Sequence, residues 1–174
     1  GVNSISFTLD SLVEPFSGVA SGISGKVTFD PADPKATKGT ITVETKSLHI
    51  ENKVMKETLH GPDWLDVAKN PKIDFTIKKV TDYKSAGDNV FDLTVVGDMT
   101  CKGVTKELTV PVKATYLPGK LGERSSKLTG DLLVLRANFA MKRKDFGIKP
   151  DIPDKTVAEE IQLRVSIAGV SPKK

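Results

Sequence analysis

Apolar and polar residues alternate over long stretches of this chain. The clearest row, in which polar residues separate most of the members, is Phe91, Leu93, Val95, Met99 and Cys101. Successive side chains of a β-strand point to opposite faces of a sheet, so a period of two predicts a strand with one buried face. Similar rows run through residues 108–116 and 161–167. Long strands with one apolar face predict an all-β barrel or sandwich.

Alternation and turn residues together predict eight strands. They lie near Ile5–Leu9, Ser17–Phe29, Thr40–Leu48, Lys72–Val80, Asn89–Cys101, Val104–Tyr116, Lys127–Met141 and Thr156–Ala168. The connections are rich in Gly, Pro, Asn and Asp, which favour turns. We therefore expect hairpins in sequence order.

Glycines interrupt the second of these strands. Gly18, Gly22 and Gly25 would weaken pairing in a flat sheet, but a closing barrel needs the bends that glycine allows. We interpret them as sites of curvature. A phosphate-binding loop is the alternative, but no strand-to-helix junction surrounds these glycines.

One segment between the third and fourth strands departs from the strand pattern. Asn52 is a helix-capping residue, and Gly61 and Pro62 end the helix that would follow it. The only tryptophan, Trp64, comes directly after this helix. The pattern predicts a short helical insertion that covers one opening of a barrel.

Connections after strands one, three, five and seven share one rim if the hairpins alternate up and down. The basic residues in or beside these connections are Lys53, Lys56, Lys102, Lys106, Lys142, Arg143, Lys144 and Lys149. An electropositive mouth above an apolar interior suits a lipid with an anionic head group. A solvated loop surface without a ligand is the alternative.

The composition is that of one folded domain, which we expect to span residues 1–174. Charged residues make up 28% and hydrophobic residues 38% of the chain, which excludes a disordered protein. No apolar run approaches the roughly 20 residues of a membrane-spanning helix. The net charge of +4 permits anionic partners, but aromatic residues, at 6%, do not interleave with basic ones, which disfavours nucleic acid.

Few residues carry catalytic or metal-binding chemistry. His49 and His60 are the only histidines and have no third ligand at metal spacing. The single cysteine, Cys101, lies in an apolar row, which favours a buried small hydrophobe over a reactive thiol. No G-x-S-x-G elbow occurs, and no Ser/His/Asp set can be placed. We expect no catalytic residues and no metal site.

The segment Met141–Ile148 follows a predicted strand and precedes a proline-rich loop. In it Arg143 and Asp145 can pair, while Phe146 turns inward and Gly147 reverses the chain. This signature, an arginine and an acidic residue followed by Phe-Gly, resembles one in the YceI-like family of bacterial lipid-binding proteins. In that family it lies near the end of the sequence. Further segments that resemble the family occur in its order: Gly25–Asp30, Ser47–Leu48, Trp64–Val67, Asn70–Phe75 and Gly97–Lys106.

The resemblance covers nearly the whole chain, from about Ser4 to Ile167, with two departures. Trp64–Leu65 stands where the family more usually shows paired phenylalanines, and residues 52–56 lack the usual arginine-aspartate pair. The resemblance implies an eight-stranded antiparallel up-and-down, lipocalin-like barrel with a short helical insertion between strands 3 and 4. It also implies export to the periplasm or the cell exterior, with a signal peptide removed before Gly1.

Such a barrel presents a defined set of side chains to its lumen, with odd-numbered residues inward in most strands and the insertion at one opening. The predicted lining is Phe7, Val19, Ile23, Val43, Leu59, Trp64, Phe75, Ile77, Phe91, Leu93, Val95, Met99, Val110, Val112, Leu135, Phe139, Ile161, Leu163 and Val165. At the mouth, the predicted head-group residues are Lys102, Arg143 and Asp145.

The expected function is non-catalytic binding, transport or sequestration of a long apolar amphiphile. A polyisoprenoid, an isoprenoid quinone and a prenyl phosphate all fit, and we expect no other cofactor. We expect no nucleic acid partner, no stable membrane insertion, and either a monomer or a homodimer. The alternative is a cell-envelope module that binds a protein or polysaccharide through its outer surface, which requires exposed, clustered aromatic residues.

Overall fold

The protein, described by a computed structural model over residues 3–124 and 128–172, is built almost entirely of antiparallel strands. The strands are β1 (Ser4–Ser11), β2 (Phe16–Ala20), β3 (Ile23–Thr28), β4 (Lys38–Glu44), β5 (Leu48–His49), β6 (Lys72–Gly87), β7 (Val90–Cys101), β8 (Val104–Leu117), β9 (Gly130–Lys142) and β10 (Val157–Pro172). Helix α1 spans Lys53–His60 and α2 spans Leu121–Arg124. Neither of these described helices has the length and apolar character needed to cross a membrane. Lys127, the predicted start of the seventh strand, lies outside the described residues.

The described residues form ten strands where the sequence predicts a barrel of eight. The difference arises because two of the predicted strands are each divided in two. Hydrogen-bonded neighbours follow the order β3-β4-β6-β7-β8-β9-β10-β1-β2-β5. A bend at Ser21–Gly22 separates β2 from β3, and the 3-10 turn Thr45–Ser47 separates β4 from β5. The β4–β5 segment pairs with both halves of the β2–β3 segment, so the two ends of this order meet and the sheet curls round on itself.

Gly22 forms the bend in the second predicted strand. A Cβ at this position would lie 2.9 Å from the Cβ of Ser47 and 3.0 Å from that of Glu44. The Glu44 N–H donates to the Gly22 oxygen over 2.8 Å, which keeps the two bent segments together across the break. The interpretation of this glycine as a site of curvature is confirmed.

One end of the barrel carries α1, and we call it the helix end. It also collects the β1–β2 turn, the β7–β8 turn and residues 143–156. The Nζ of Lys102, in the β7–β8 turn, donates to the backbone oxygens of Asp63 (2.9 Å) and Gly147 (2.8 Å). The Leu12 N–H donates to the Thr156 oxygen over 3.0 Å. The connections predicted to share one rim therefore do so.

Helix α1 begins and ends where the capping residues predict. The Oδ1 of Asn52 accepts hydrogen bonds from the backbone N–H groups of Val54 (3.0 Å) and Met55 (3.2 Å), and Gly61 is the C-cap. None of its residues is buried, and it contacts the core through the partly buried Met55 and Leu59. The helix therefore lies on the end of the barrel rather than inside it.

The opposite end, which we call the hairpin end because the β6–β7 hairpin projects there, has its own apolar cluster. Phe29, from the β3–β4 connection, packs against Phe91 with ring centroids 5.6 Å apart and against Tyr116 at 6.4 Å. The Tyr116 hydroxyl donates to Asp131 over 2.8 Å, and this hydrogen bond raises the pKa of the tyrosine. Aromatic side chains therefore cover the hairpin end, as α1 and Trp64 cover the helix end.

Candidate functional site

An apolar cavity extends along the inside of the barrel between these two ends. Its volume is about 180 Å³, and none of the surface that the described residues turn towards it is polar. A space of about 10–15 Å³ is enough for one water molecule, but a buried water needs two to four polar partners. This main cavity is therefore suited to apolar matter rather than to water.

The structure places all but four of the predicted lining residues on the wall of the main cavity. Those on the wall are Phe7, Val43, Leu59, Phe75, Ile77, Leu93, Val95, Met99, Val110, Val112, Leu135, Phe139, Ile161, Leu163 and Val165. They come from β1, from β4 and from β6 to β10, and from α1. The period-two pattern is thus a guide to the inner face all round the barrel.

The other four predicted lining residues lie elsewhere. Val19 faces outward and is 47% exposed, because the bend at Gly22 reverses the inward parity between β2 and β3. Ile23 packs against the core cluster of the helix end. Trp64 borders a second, smaller cavity, and Phe91 belongs to the cluster of the hairpin end. The structure therefore corrects the predicted lining at these four positions.

Several lining residues have no counterpart in the prediction. Leu65 and Ile148 come from connections at the helix end, where no periodicity could place them. Ala20 and Leu48 lie beside the two strand breaks, where the inward parity changes. Cys101 is predicted only to be buried, yet it lines the cavity because the inward row of β7 continues to the β7–β8 turn.

Two phenylalanine rings of the cavity wall lie against glycines. Gly18 is the partner of Phe7 across the β1–β2 pair, and a Cβ on it would come within 2.5 Å of the ring Cζ. A Cβ on Gly97 would come within 2.6 Å of the Cζ of Phe75. A ring over a glycine covers exposed backbone and takes up space that a side chain would fill. These two pairs hold bulky rings close to the wall and keep the lumen open.

Gly97→Ala should push the Phe75 ring into the lumen and weaken the uptake of an apolar probe such as 1-aminoanthracene. The new methyl group would also meet the Thr76 oxygen at 2.6 Å, so the backbone must shift. We expect a loss of about 1–3 kcal/mol in the free energy of unfolding, measured in urea. Gly169→Ala, where the nearest atom is 3.9 Å away, is the matched control. Unchanged uptake by the Gly97→Ala variant would show that this ring does not bound the cavity.

The unfilled interior lowers the free energy of unfolding. At roughly 24 cal/mol per Å³, a cavity of about 180 Å³ costs the folded state about 4 kcal/mol of stability. That is a large share of the 5–15 kcal/mol that holds a typical domain folded. Inward-facing residues such as Ile161 and Leu163 are only partly buried, because the space in front of them is empty. An apolar ligand that filled this space would offset this cost.

Arg143 is the centre of a hydrogen-bonded cluster at the helix end. Its side chain is 0% exposed. Over 2.5–3.4 Å, its guanidinium donates to Asp154 Oδ1 and to the backbone oxygens of Ile148, Lys149, Ile152, Val157 and Ala158. A guanidinium has five N–H donors, so none is left for a ligand. The structure corrects the prediction of a head-group role: Arg143 fastens the connection that follows β9.

The other two predicted head-group residues do not form a binding site with Arg143. Lys102 ties the β7–β8 turn to the backbone of the two neighbouring connections. Asp145 is exposed, and the carboxylate that pairs with Arg143 is instead that of Asp154, at 3.2 Å. Within the same signature, Phe146 is 0% exposed and Gly147 turns the chain at φ 63°, as predicted.

Several basic residues of the helix end pair with carboxylates. Lys149 contacts both Asp63 (3.3 Å) and Asp151 (3.2 Å), and these hydrogen bonds raise the pKa of the lysine. Lys144 pairs with Asp154 at 2.7 Å, and Lys142 with Glu159 at 3.6 Å. The shared rim therefore carries charges of both signs and is less electropositive than its basic residues alone predict.

Cys101 is predicted to be unreactive in the folded protein. Its side chain is 2% exposed, and burial raises the pKa of the thiol to about 12. Only the thiolate is nucleophilic, and at pH 8 roughly one thiol in 10,000 would be ionised. We expect Ellman's reagent to label the native protein negligibly within minutes and the urea-unfolded protein completely. Rapid labelling of the native protein would show that the barrel wall opens at β7.

The two histidines are engaged separately. His49 Nε2 lies 3.5 Å from the carboxylate of Glu51, and His60 Nε2 lies 2.8 Å from the backbone oxygen of Leu48. Among the described residues, no group of three or more His, Cys, Asp or Glu side chains is placed to hold a metal ion. The cavity is thus the feature of this molecule with the clearest capacity to bind something.

Fold and cavity together define an eight-stranded antiparallel barrel with an apolar lumen, the size class in which the interior can hold one small ligand. The YceI-like domain model matches residues 2–168, and the chain belongs to the YceI-like family. Protein YceI of Escherichia coli is 32% identical over 156 residues, which are 90% of this chain and 74% of the relative. The UPF0312 protein of Pseudomonas aeruginosa is 31% identical over 153 residues, or 88% and 73% of the two chains.

Solved structures share the fold. BcnA of Burkholderia cenocepacia superposes with a TM-score of 0.75 at 23% identity, covering 96% of both chains. The YceI protein of Campylobacter jejuni gives 0.73 at 22% identity, covering 94% of this chain and 90% of that one. A domain from Saccharophagus degradans, described as polyisoprenoid binding and implicated in plant cell wall breakdown, gives 0.69 at 8% identity, covering 98% and 94%.

Proposed function

We propose that this protein binds a long apolar amphiphile of the polyisoprenoid type inside its barrel. The observation that carries the proposal is the main cavity itself, about 180 Å³ of unfilled space faced by apolar surface alone. Membership of the YceI-like family and the fold shared with the polyisoprenoid-binding domain of Saccharophagus degradans support the isoprenoid class of ligand.

The chemistry of the cavity favours hydrocarbon. Each methylene group that leaves water for apolar surroundings contributes about 0.8 kcal/mol, so ten enclosed carbons supply roughly 8 kcal/mol before the costs of association. A polar group buried there without a partner would cost about 2–7 kcal/mol. The prenyl chain therefore occupies the lumen, and the head group of a quinone or a prenyl phosphate stays outside it.

A long prenyl chain needs more room than the cavity now offers, since about 150 Å³ of apolar space suits a molecule the size of benzene. Met99 and Met141 both line the wall, and unbranched methionine side chains rearrange at small cost. Helix α1 has no buried residue, so it can shift without exposing a core of its own. Binding then widens the lumen through these side chains and this helix.

The proposed role is non-catalytic, with no cofactor other than the bound lipid. We propose that the protein transports or sequesters the lipid in the periplasm or outside the cell. The outer-surface alternative requires a cluster of exposed aromatic residues. Among the exposed large hydrophobic side chains of the described residues, only Tyr83, at 41%, is aromatic, which favours the lumen.

The test is to identify what the protein carries. Native mass spectrometry and organic extraction of protein purified from a bacterial host should recover a long apolar molecule in near-stoichiometric amount. Delipidated protein should take up geranylgeraniol, and ligand at 100 times its Kd should raise the free energy of unfolding by about 2.7 kcal/mol. A barrel that carries no lipid and takes up none would overturn the proposal.

A further inference from the structure

The most exposed large apolar side chains of the described residues are neighbours at the tip of one turn. Leu12 is 79% exposed and Val13 is 93% exposed, in the β1–β2 turn at the helix end. Turns are normally built from Gly, Pro, Asn, Asp and Ser, so two consecutive aliphatic residues at a tip are unusual. Val54, 71% exposed on α1, lies at the same end. This end therefore projects apolar groups away from the barrel.

Several backbone groups of this turn have hydrogen-bond partners within the protein. The Ser11 N–H donates to Asp10 Oδ1 (2.9 Å), and the Leu12 N–H donates to the Thr156 oxygen (3.0 Å). The Glu14 N–H donates to Ser11 Oγ over 3.1 Å, and the Ser11 hydroxyl donates back to the Glu14 oxygen over 2.6 Å. An apolar medium penalises unpaired backbone groups by several kcal/mol each. These paired groups keep their hydrogen bonds when the turn leaves water, and they fix a shape that holds both side chains outward.

Apolar side chains connect this tip to the lumen. Phe16, just beyond the turn, packs against Trp64 with ring centroids 5.3 Å apart. Both rings border the second cavity, of about 40 Å³. That cavity and the main cavity have wall residues in common, among them Leu59 and Ile148. A hydrocarbon chain that arrives beside the tip thus meets apolar surface as far as the interior of the barrel.

We propose that the Leu12–Val13 turn docks the helix end onto a lipid bilayer, so that a membrane lipid enters the barrel past Phe16 and Trp64. The inference rests on the proposed function, since it names the place where the bound lipid is collected. Two aliphatic side chains are far too small for a stable protein interface, which buries about 800 Å² of each partner. A bilayer surface demands no matching shape, and two side chains suit a contact that must be released again.

The charged residues around the tip determine how far docking depends on anionic lipid. Asp10 and Glu14 flank the two aliphatic residues, while Lys53 and Lys56 of α1 lie at the same end. With both signs present, the docking contact depends on insertion of the apolar tip more than on attraction to anionic lipid. A zwitterionic phosphatidylcholine surface is therefore sufficient.

Site-specific labelling tests the contact directly. Val13→Cys labelled with nitrobenzoxadiazole should show a blue shift and brighter emission on phosphatidylcholine vesicles, and Val170→Cys should not. Val170, 52% exposed in β10 near the opposite end, is the matched control. The native Cys101 does not interfere because it is buried. Equal responses at both positions, no response at position 13, or a vesicle-independent shift that grows with protein concentration would overturn the proposal.

The double variant Leu12→Ser/Val13→Ser separates docking from lumen binding. It should bind vesicles about 10- to 100-fold more weakly and take up geranylgeraniol from them correspondingly more slowly. Its capacity for geranylgeraniol delivered from ethanol should equal that of the unmodified protein. Equal uptake rates from vesicles would overturn the docking proposal. Loss of binding from ethanol by the unmodified protein as well would overturn the proposed function, while the vesicle response of the Val13→Cys label would still decide the docking contact.

Discussion

Val95→Trp should abolish uptake of an apolar ligand while leaving a folded barrel. Val95 is 2% exposed in the middle of β7, where it pairs with Val80 of β6 and Val110 of β8. Its side chain points into the main cavity, so an indole at this position fills space that the ligand needs. We expect the affinity for geranylgeraniol to fall by at least about 10-fold, measured by native mass spectrometry of delipidated protein, since a blocked pocket loses more than about 1.4 kcal/mol of binding.

The same substitution on the outer face is the matched control. Val19→Trp changes the same residue type, but Val19 faces solvent from β2. Overpacking at Val95 itself can cost about 1–3 kcal/mol, so circular dichroism and urea unfolding of both variants must show that the barrel remains. Full uptake by a folded Val95→Trp protein would mean that the ligand does not occupy this part of the lumen.

Arg143→Met should lower the free energy of unfolding by about 3–5 kcal/mol, because it leaves several buried or partly buried backbone oxygens without a donor. The guanidinium reaches five backbone oxygens and Asp154. Methionine approximates the length of the side chain but offers no N–H group. For a chain of this size, the melting temperature should drop by roughly 2–4 °C per kcal/mol.

Two further variants distinguish hydrogen bonding from charge at this position. Arg143→Lys keeps the charge but has three donors on a single nitrogen instead of five in a planar fork, so we expect it to recover only part of the loss. Arg164→Met, at an exposed position of β10, should change the melting temperature little. If Arg143→Met were as stable as the unmodified protein, and instead lost ligand affinity, a head-group role for this arginine would be restored.

The barrel could be predicted from the sequence because its strands are long and regular. Leu93, Val95 and Met99 alternate with outward-facing residues without interruption by a break, so the inner face of β7 follows directly from the period. The prediction is less accurate where the chain bends. Even-numbered residues face inward before Gly22, and odd-numbered residues face inward after it. A single alternation applied to the whole segment therefore assigns Val19 to the wrong face.

The helix end could be predicted only in outline. Capping residues locate α1, and the order of the connections places Lys102 and Arg143 on the same rim. What Arg143 contacts there depends on how the connection after β9 folds over its side chain, which is a matter of three-dimensional packing. In the sequence, an arginine near Phe-Gly is equally compatible with an anion-binding role and with a buried structural role. Only the complete burial of Arg143 in the structure distinguishes these roles.

The barrel is completed by pairing its first strand with its last. Strand β1 lies antiparallel to β10, with Leu9 opposite Ile161 and Ser4 opposite Ser166. During synthesis, β1 emerges before the other strands of the barrel but has no partner on this side until β10 has been made. Such distant pairing slows folding, and unpaired strand edges invite aggregation in the interval. The lumen therefore comes into existence only when the last strand docks, and a chain cut short before Val157 would remain an open sheet with no enclosed space for a lipid.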